Sequence, residues 1–307
     1  MKKNTAPFIP INPHQLAVFF KDTTHRVLME IRRGRAHFTA YEKESDYKSD
    51  IDFFTDVDKK CQQIWLKHCK EQYPFIGIIA EEEDLRIPCS TKADAEYFFT
   101  IDPLDGTKAF MRGQSEGFST MISLIRKSKN KKNAPYEIIG ACIGDVMTQE
   151  IYYYRMSSKK THRLEPDQLV RELHPSTVSL KEQYILLRDD PRTLSEIAQQ
   201  LTFPETGAFK NIEVAGGSIG TNTAKLWKGQ CGAYILNNTY DTPWDWNPVA
   251  GISKRLGFKM FEIIKNGLGK EIPLDGIIEK TKRENERIIV HESHVKELQK
   301  YFKKFNK

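Results

Sequence analysis

No apolar run in this chain is long. The longest, such as Phe75–Ala80 (FIGIIA), have the length of one buried strand. A bilayer-spanning helix needs roughly 20 such residues. A chain patterned this way can bury its apolar side chains only by stacking short elements in layers. Asn12 and Pro13 make a helix start. Leu16, Phe19, Phe20, Thr23, Val27 and Ile31 then recur at helical spacing as far as Gly34. The polar stretch Tyr41–Asp50 reads as a loop. Thr55 caps a second helix, with Val57, Cys61, Ile64 and His68 on one face and Pro74 beyond its end.

Strand patterns follow at Phe75–Ala80, Tyr97–Ile101, Ser119–Ile125, Glu137–Ile143 and Glu150–Tyr154, with the basic loop 126–135 as a long hairpin connection. A polar segment, 155–178, holds Pro166 and Pro175. Beyond it, strands at Tyr184–Leu187, Ile212–Ala215, Ala233–Leu236, Lys259–Glu262 and Arg287–Val290 alternate with helices at 192–202, 218–228, 245–256 and 293–305. The pattern predicts a mixed α+β or α/β chain. Residues 1–155 form an antiparallel N-terminal half and 156–307 a more parallel C-terminal half. A length of 307 residues agrees with two such halves.

Composition excludes several classes. Lys and Arg number 47 against 41 Asp and Glu, a net charge of +6. The basic residues gather in Arg126–Lys132, Lys159–Arg163 and the last helix, which read as solvated loops and a solvated helix face rather than one charged face with stacking aromatics between the charges. No nucleic-acid partner is expected. The five cysteines are widely spaced and hold no CxxC pair. Reduced thiols in a cytoplasmic protein are expected. The first residues carry Pro7, Pro10 and Pro13 where a secretory leader needs a continuous apolar stretch.

Chemistry is concentrated where predicted strands end. FIGIIA runs into Glu81-Glu82-Glu83-Asp84, and YFFTI runs into Asp102-Pro-Leu-Asp105-Gly-Thr107. Asp245 opens a helix within PWDW, and Asp58 lies in the first turn of the second helix. Carboxylates gathered from four elements repel one another unless divalent cations lie between them. Oxygen donors without a Cys/His cluster favour Mg²⁺, with Mn²⁺ possible, over Zn²⁺. Pro103 is expected to stiffen a turn that aims Asp102 and Asp105 at one place. A helix starting near Gly106 would present free N–H groups to a phosphate. The acids at 50, 52, 56 and 58 lack the glycine and closing Glu of a calcium loop, and His291-Glu-Ser-His294 lacks zinc-protease spacing.

IDPLDGTKAF (101–110) and PWDWNPVAG (243–251) resemble the two signatures of the inositol monophosphatase superfamily, lithium-sensitive Mg²⁺-dependent phosphatases. Thr55–Asp58 is similar to its T-x-x-D, and Ala80-Glu81-Glu82 to its G-E-E. The resemblance implies a layered α-β-α-β-α sandwich, usually dimeric. It also implies hydrolysis of a small anionic phosphate ester by a metal-activated water. One metal would be held by Glu81, Asp102 and the Leu104 carbonyl, a second by Asp102, Asp105 and Asp245, and a third, weaker one by Asp58 near Glu81. Glu81, Thr107 and Asp58 would be the catalytic set. Asp105, Gly106, Thr107, Lys108, Gly217, Ser218 and Asn238 would face phosphate or substrate.

Departures bear on the substrate. Ala80 stands in place of Gly or Ser, and Lys48 is displaced by one from the family's loop lysine. Asn238 replaces the Glu of inositol-specific members. Lys108-Ala-Phe-Met-Arg112-Gly113 resembles the K-x-F-x-R-G run of 3'(2'),5'-bisphosphate nucleotidases. That activity is placed first, ahead of inositol monophosphatase and histidinol-phosphate phosphatase. The non-enzymatic alternative is an RNA- or protein-binding regulatory member of the same fold.

Overall fold

The computed structural model describes residues 11–43, 52–91, 95–128, 135–203, 205, 207–265 and 267–305. Helix α1 (Pro13–Gly34) starts where Asn12 accepts the N–H groups of His14 and Gln15. A short hairpin, β1 (Ala40–Lys43) and β2 (Asp52–Thr55), leads into α2 (Asp56–Gln72). Thr55 and Asp58 close a reciprocal capping box at its start. The loop expected over Tyr41–Asp50 is thus in part a strand, and 44–51 lie outside the described residues.

Next come β3 (Gly77–Ala80), β4 (Leu85–Ile87), β5 (Ala95–Asp105), α3 (Thr107–Met111), β6 (Ser119–Ser128), β7 (Glu137–Asp145), β8 (Ile151–Tyr154), β9 (His162–Leu164) and β10 (Val170–Glu172). These strands make one sheet in the order β10-β9-β8-β7-β6-β5-β3-β4, antiparallel except for the β3/β5 pair. The change of sheet therefore falls after Glu172 and not at the 155/156 division suggested by composition. Strands β9 and β10 escape sequence patterning because they are short and polar, β10 at the sheet edge and β9 next to it, with half-exposed side chains that carry no apolar alternation.

The rest comprises β11 (Tyr184–Leu187), α4 (Glu196–Thr202), β12 (Asn211–Val214), α5 (Ile219–Trp227), β13 (Ala233–Leu236), β14 (Tyr240–Asp241), α6 (Pro243–Arg255), β15 (Phe258–Ile264), β16 (Gly267–Ile272), β17 (Thr281–Lys282), β18 (Arg287–His291) and α7 (Val295–Phe305). The second sheet runs β12-β11-β13-β18-β15-β16. Strands β12, β11 and β13 are parallel and the others antiparallel, so it is the more parallel of the two.

Three apolar cores separate five layers. Phe19, Phe20, Trp65 and Phe99 fill the space between α1, α2 and the first sheet. Met121, Tyr152, Trp227, Trp246 and Ile289 fill the middle, where α5 and α6 lie between the sheets. Ile185, Leu201, Ile235 and Leu298 seal the second sheet under α4 and α7. Each fully buried side chain of this size contributes roughly 2–3 kcal/mol. The order is α-β-α-β-α.

Candidate active site

Strand register brings the acids together. Strands β3 and β5 are parallel, with Ala80 beside Ile101. The next residues, Glu81 and Asp102, are therefore neighbours. Asp102 and Asp105 lie three apart, and in a regular strand such residues face opposite sides. Here Asp102 pairs with Met121 and Asp105 with Ser119, three steps on β5 against two on β6. The extra residue is a β-bulge at Pro103–Leu104, which re-aims the second carboxylate. Pro103 thus sits inside a bulged strand rather than the expected turn, at one of the few strand positions that tolerate a missing N–H. Asp245 reaches the same place from the first turn of α6, where its Oδ2 accepts the Thr242 hydroxyl at 2.8 Å. Ligand oxygens of Asp102, Asp105 and Asp245 lie within 4.8 Å of one another.

The cluster is held from behind. Asp105 Oδ2 accepts from the Ser218 hydroxyl, from Ser119 at 3.1 Å and from the Gly220 N–H at 2.9 Å. Asp105 therefore sits at the positive end of α5. Trp65 Nε1 donates to Thr120 Oγ1 at 3.0 Å, and that hydroxyl donates to the Asp102 carbonyl at 3.1 Å. Gln62 grips both backbone groups of Glu82, each at 3.0 Å, and so fixes the turn that carries Glu81.

Charge in this cluster is costly. Burial, then the charges of Glu81, Asp105 and Asp245, push Asp102 well above the usual carboxylate range. Burial also raises Asp105, against the pull of its donors. Asp245 rises to about 7 through burial, then through Asp105 and Glu81. Glu82, buried beside Glu81, rises to about 8. Asp102 Oδ1 is buried without a hydrogen-bond partner. Three converging hard oxygens, one of them orphaned, fit a divalent cation such as Mg²⁺.

The other predicted residues divide. Asp58 is fully buried away from the three-carboxylate group. Its Oδ2 accepts from the Thr55 N–H and hydroxyl, and its Oδ1 from Thr107 Oγ1 at 3.1 Å. Burial, opposed by these bonds, raises it to about 6. Thr107 Oγ1 also lies 3.0 Å from the Leu104 carbonyl. Glu81 Oε1 accepts from Lys43 Nζ at 2.8 Å. Lys43 thus stands beside Glu81, a contact the sequence reading missed, whereas Lys48 lies outside the described residues. Its place follows from the β1/β2 register, which sets Lys43 opposite Asp52, and no local sequence signal marks it.

Ser218 does not face the cleft as expected. It is completely buried, caps α5 and spends its hydroxyl on Asp105. Gly217 and Gly106 have φ of 89° and pack against the backbone of Gly117. A Cβ at either would come within 2.2 or 2.3 Å of the Gly117 oxygen. Gly106 does start a short helix, α3. Lys108 is on that helix, Arg112 is exposed at its end, and Asn238 is exposed after β13.

The model of the "Inositol monophosphatase family" matches residues 14–297. A Nus factor SuhB of Vibrio cholerae serotype O1 is 34% identical over 109 residues, 36% of each chain. The chain thus aligns with about a third of the length of the curated relatives it matches. Among solved structures, the extragenic suppressor protein suhB of Bartonella henselae superposes with a TM-score of 0.69 at 18% identity, over 94% of this chain and 99% of that one. An IMPase/NADP phosphatase complexed with Mg²⁺ and phosphate superposes with a TM-score of 0.64 at 19% identity, over 94% and 95%. With nearly its whole length matched by the family model, and its carboxylates gathered where two strand ends meet a helix start, the chain belongs to the inositol monophosphatase family.

Proposed function

We propose that this protein is a Mg²⁺-dependent phosphomonoesterase acting on a small anionic phosphate ester. The observation that carries the reading is the convergence of Asp102, Asp105 and Asp245, with the buried Asp102 Oδ1 left without a donor. Asp102, Asp105 and Asp245 would hold one Mg²⁺, and Glu81 with Asp102 and the Leu104 carbonyl another. Mg²⁺, when bound, offsets charge on the phosphoryl oxygens and acidifies water.

The chain's own residues then divide the remaining work. Thr107 has one hydroxyl proton for two acceptors, Asp58 and Leu104, so its lone pairs stay open to a proton from the attacking water. Asp58, at about 6, is poised to accept a proton through Thr107 near neutral pH. Lys43 keeps Glu81 oriented. The first turn of α3, from Gly106 and Thr107, offers N–H groups to the phosphate.

Among substrates, a 3'(2'),5'-bisphosphate nucleotide comes first, because of Lys108 and Arg112. Inositol 1-phosphate and histidinol phosphate are the alternatives. A cytoplasmic homodimer completes the proposal. The test is phosphate release from these three esters with Mg²⁺, beside Asp105→Asn. Release that survives Asp105→Asn would sink the proposal. The relatives named Nus factor SuhB favour a second, regulatory reading. Sub-micromolar RNA binding with a steep salt dependence would support it.

A further inference from the structure

Arg188 follows the last residue of β11, the middle strand of the parallel trio β12-β11-β13. Ligands in open α/β sheets collect beyond the carboxyl ends of such strands. The loop after β12 delivers Ser218 to Asp105, and the loop after β13 carries Asn237 and Asn238. Arg188 shares this edge. Arg188 is exposed to solvent and lies within Coulomb reach of Asp105 and Asp245. Among the described residues it has no hydrogen bond or ion pair. The adjacent Asp189 accepts from Asn237 Nδ2 at 3.0 Å.

A second cation acts on the same surroundings. Arg283 and Arg287 are buried and share one carboxylate, Asp241, at 3.4 and 2.6 Å. That leaves one positive charge in excess. Arg283 Nη1 has no hydrogen-bond partner. Arg188 and Arg283 both act on the buried Tyr234, whose hydroxyl lies 3.4 Å from Asn222 Nδ2. Cationic groups, the exposed Arg188 and the buried Arg283, therefore lie near the carboxylates that fit Mg²⁺.

We propose that Arg188 forms a second anion subsite beside the metal centre, and that the substrate is a phosphomonoester carrying a further anionic group, a carboxylate or a second phosphate. Which end occupies the metal centre rests on the phosphatase reading above. A guanidinium is suited to either anion, because its donor fork matches two oxygens at once. If Arg188 served only to offset the acids, its loss would affect all ligands alike.

The test uses ligands that cannot be hydrolysed: propylphosphonate, its terminal-carboxylate analogue and its terminal-phosphonate analogue. Each is titrated calorimetrically into the Mg²⁺-loaded wild type, Arg188→Gln and Arg188→Lys. The second anion is expected to tighten binding to the wild type by about tenfold, 1.4 kcal/mol. Arg188→Gln should erase that advantage and Arg188→Lys should keep part of it. The stronger of the two dianionic ligands identifies the group. Equal binding of all three to the wild type overturns the subsite, as does uniform weakening in Arg188→Gln. Phosphate release from simple esters, followed in parallel, tests the phosphatase reading separately, and the calorimetry decides the subsite whatever its outcome.

Discussion

Replacing Asp245 by Asn should stabilise the metal-free protein and remove its response to Mg²⁺. The carboxyl of Asp245 titrates at about 7 instead of 3.8, chiefly because it is buried and then because Asp105 and Glu81 are close. At about 1.4 kcal/mol per pH unit, the difference corresponds to roughly 4 kcal/mol. Partial access to solvent reduces this to about 2–3 kcal/mol. The sign follows from proton binding. Between 3.8 and about 7 the folded Asp245 keeps a proton that the unfolded chain has released. Stability without metal therefore falls as pH rises through that window, and the loss is complete above it.

Asn carries no such dependence. In EDTA the variant should match the wild type near pH 4 and exceed it by about 2–3 kcal/mol at pH 8. With an unfolding entropy of roughly 2 cal/mol/K per residue, that is about 4 °C in Tm. Mg²⁺ at roughly a thousand times its Kd stabilises the wild type by about 4 kcal/mol, so the order of the two proteins should reverse. Thermal denaturation at both pH values, with EDTA and with Mg²⁺, reads all of this. A variant less stable than the wild type in EDTA at pH 8, or a gap that ignores pH, would refute the reasoning.

Three further outcomes follow from the same geometry. Ser218→Ala removes a donor from Asp105 and should weaken Mg²⁺ binding by about 10–100-fold; unchanged affinity in a calorimetric titration would contradict that role. Gly217→Ala forces a Cβ onto the Gly117 oxygen at a φ that favours glycine, and should cost about 2–4 kcal/mol in urea denaturation; a neutral result would show that the crossing is soft. Lys43→Gln takes a cation away from Glu81, so Mg²⁺ should bind more tightly, by about tenfold, while turnover falls; weaker Mg²⁺ binding would show that the ammonium supports the metal instead.

Much of this was legible in sequence because local rules govern it. The Asn12 and Thr55 caps, the apolar runs of β5 to β8 and the acids at strand ends all act within a few residues of themselves. The layered order and the acid set needed no long-range information beyond a family likeness. What escaped sequence was set across the chain. Lys43 meets Glu81 only because β1 folds back on β2. Ser218 looks like a glycine-serine loop in contact with substrate, and only the approach of α5 to β5 shows it bound to Asp105. Strand β9 is held by backbone pairing to β8, and β10 by pairing to β9, which leaves no mark on side-chain pattern. The bulge at Pro103–Leu104 is visible only in the register of β5 against β6.

The position of α6 has a consequence for how the chain is made. This helix, packed on β5, β6 and β7, covers the inner face of the first sheet and brings the last of the acids. A chain growing from its N-terminus has Asp58, Glu81, Asp102 and Asp105 out of the ribosome long before Asp245. Until Pro243–Arg255 emerges, Ile138 and Tyr154, which pack against Gly251 of that helix, lack this cover and the carboxylate group lacks Asp245. Domains tend to fold in the order of their synthesis, yet here the earlier half waits for the later one. The nascent first sheet therefore keeps apolar surface open until α6 arrives, and the three-carboxylate group is complete only once translation has passed α6.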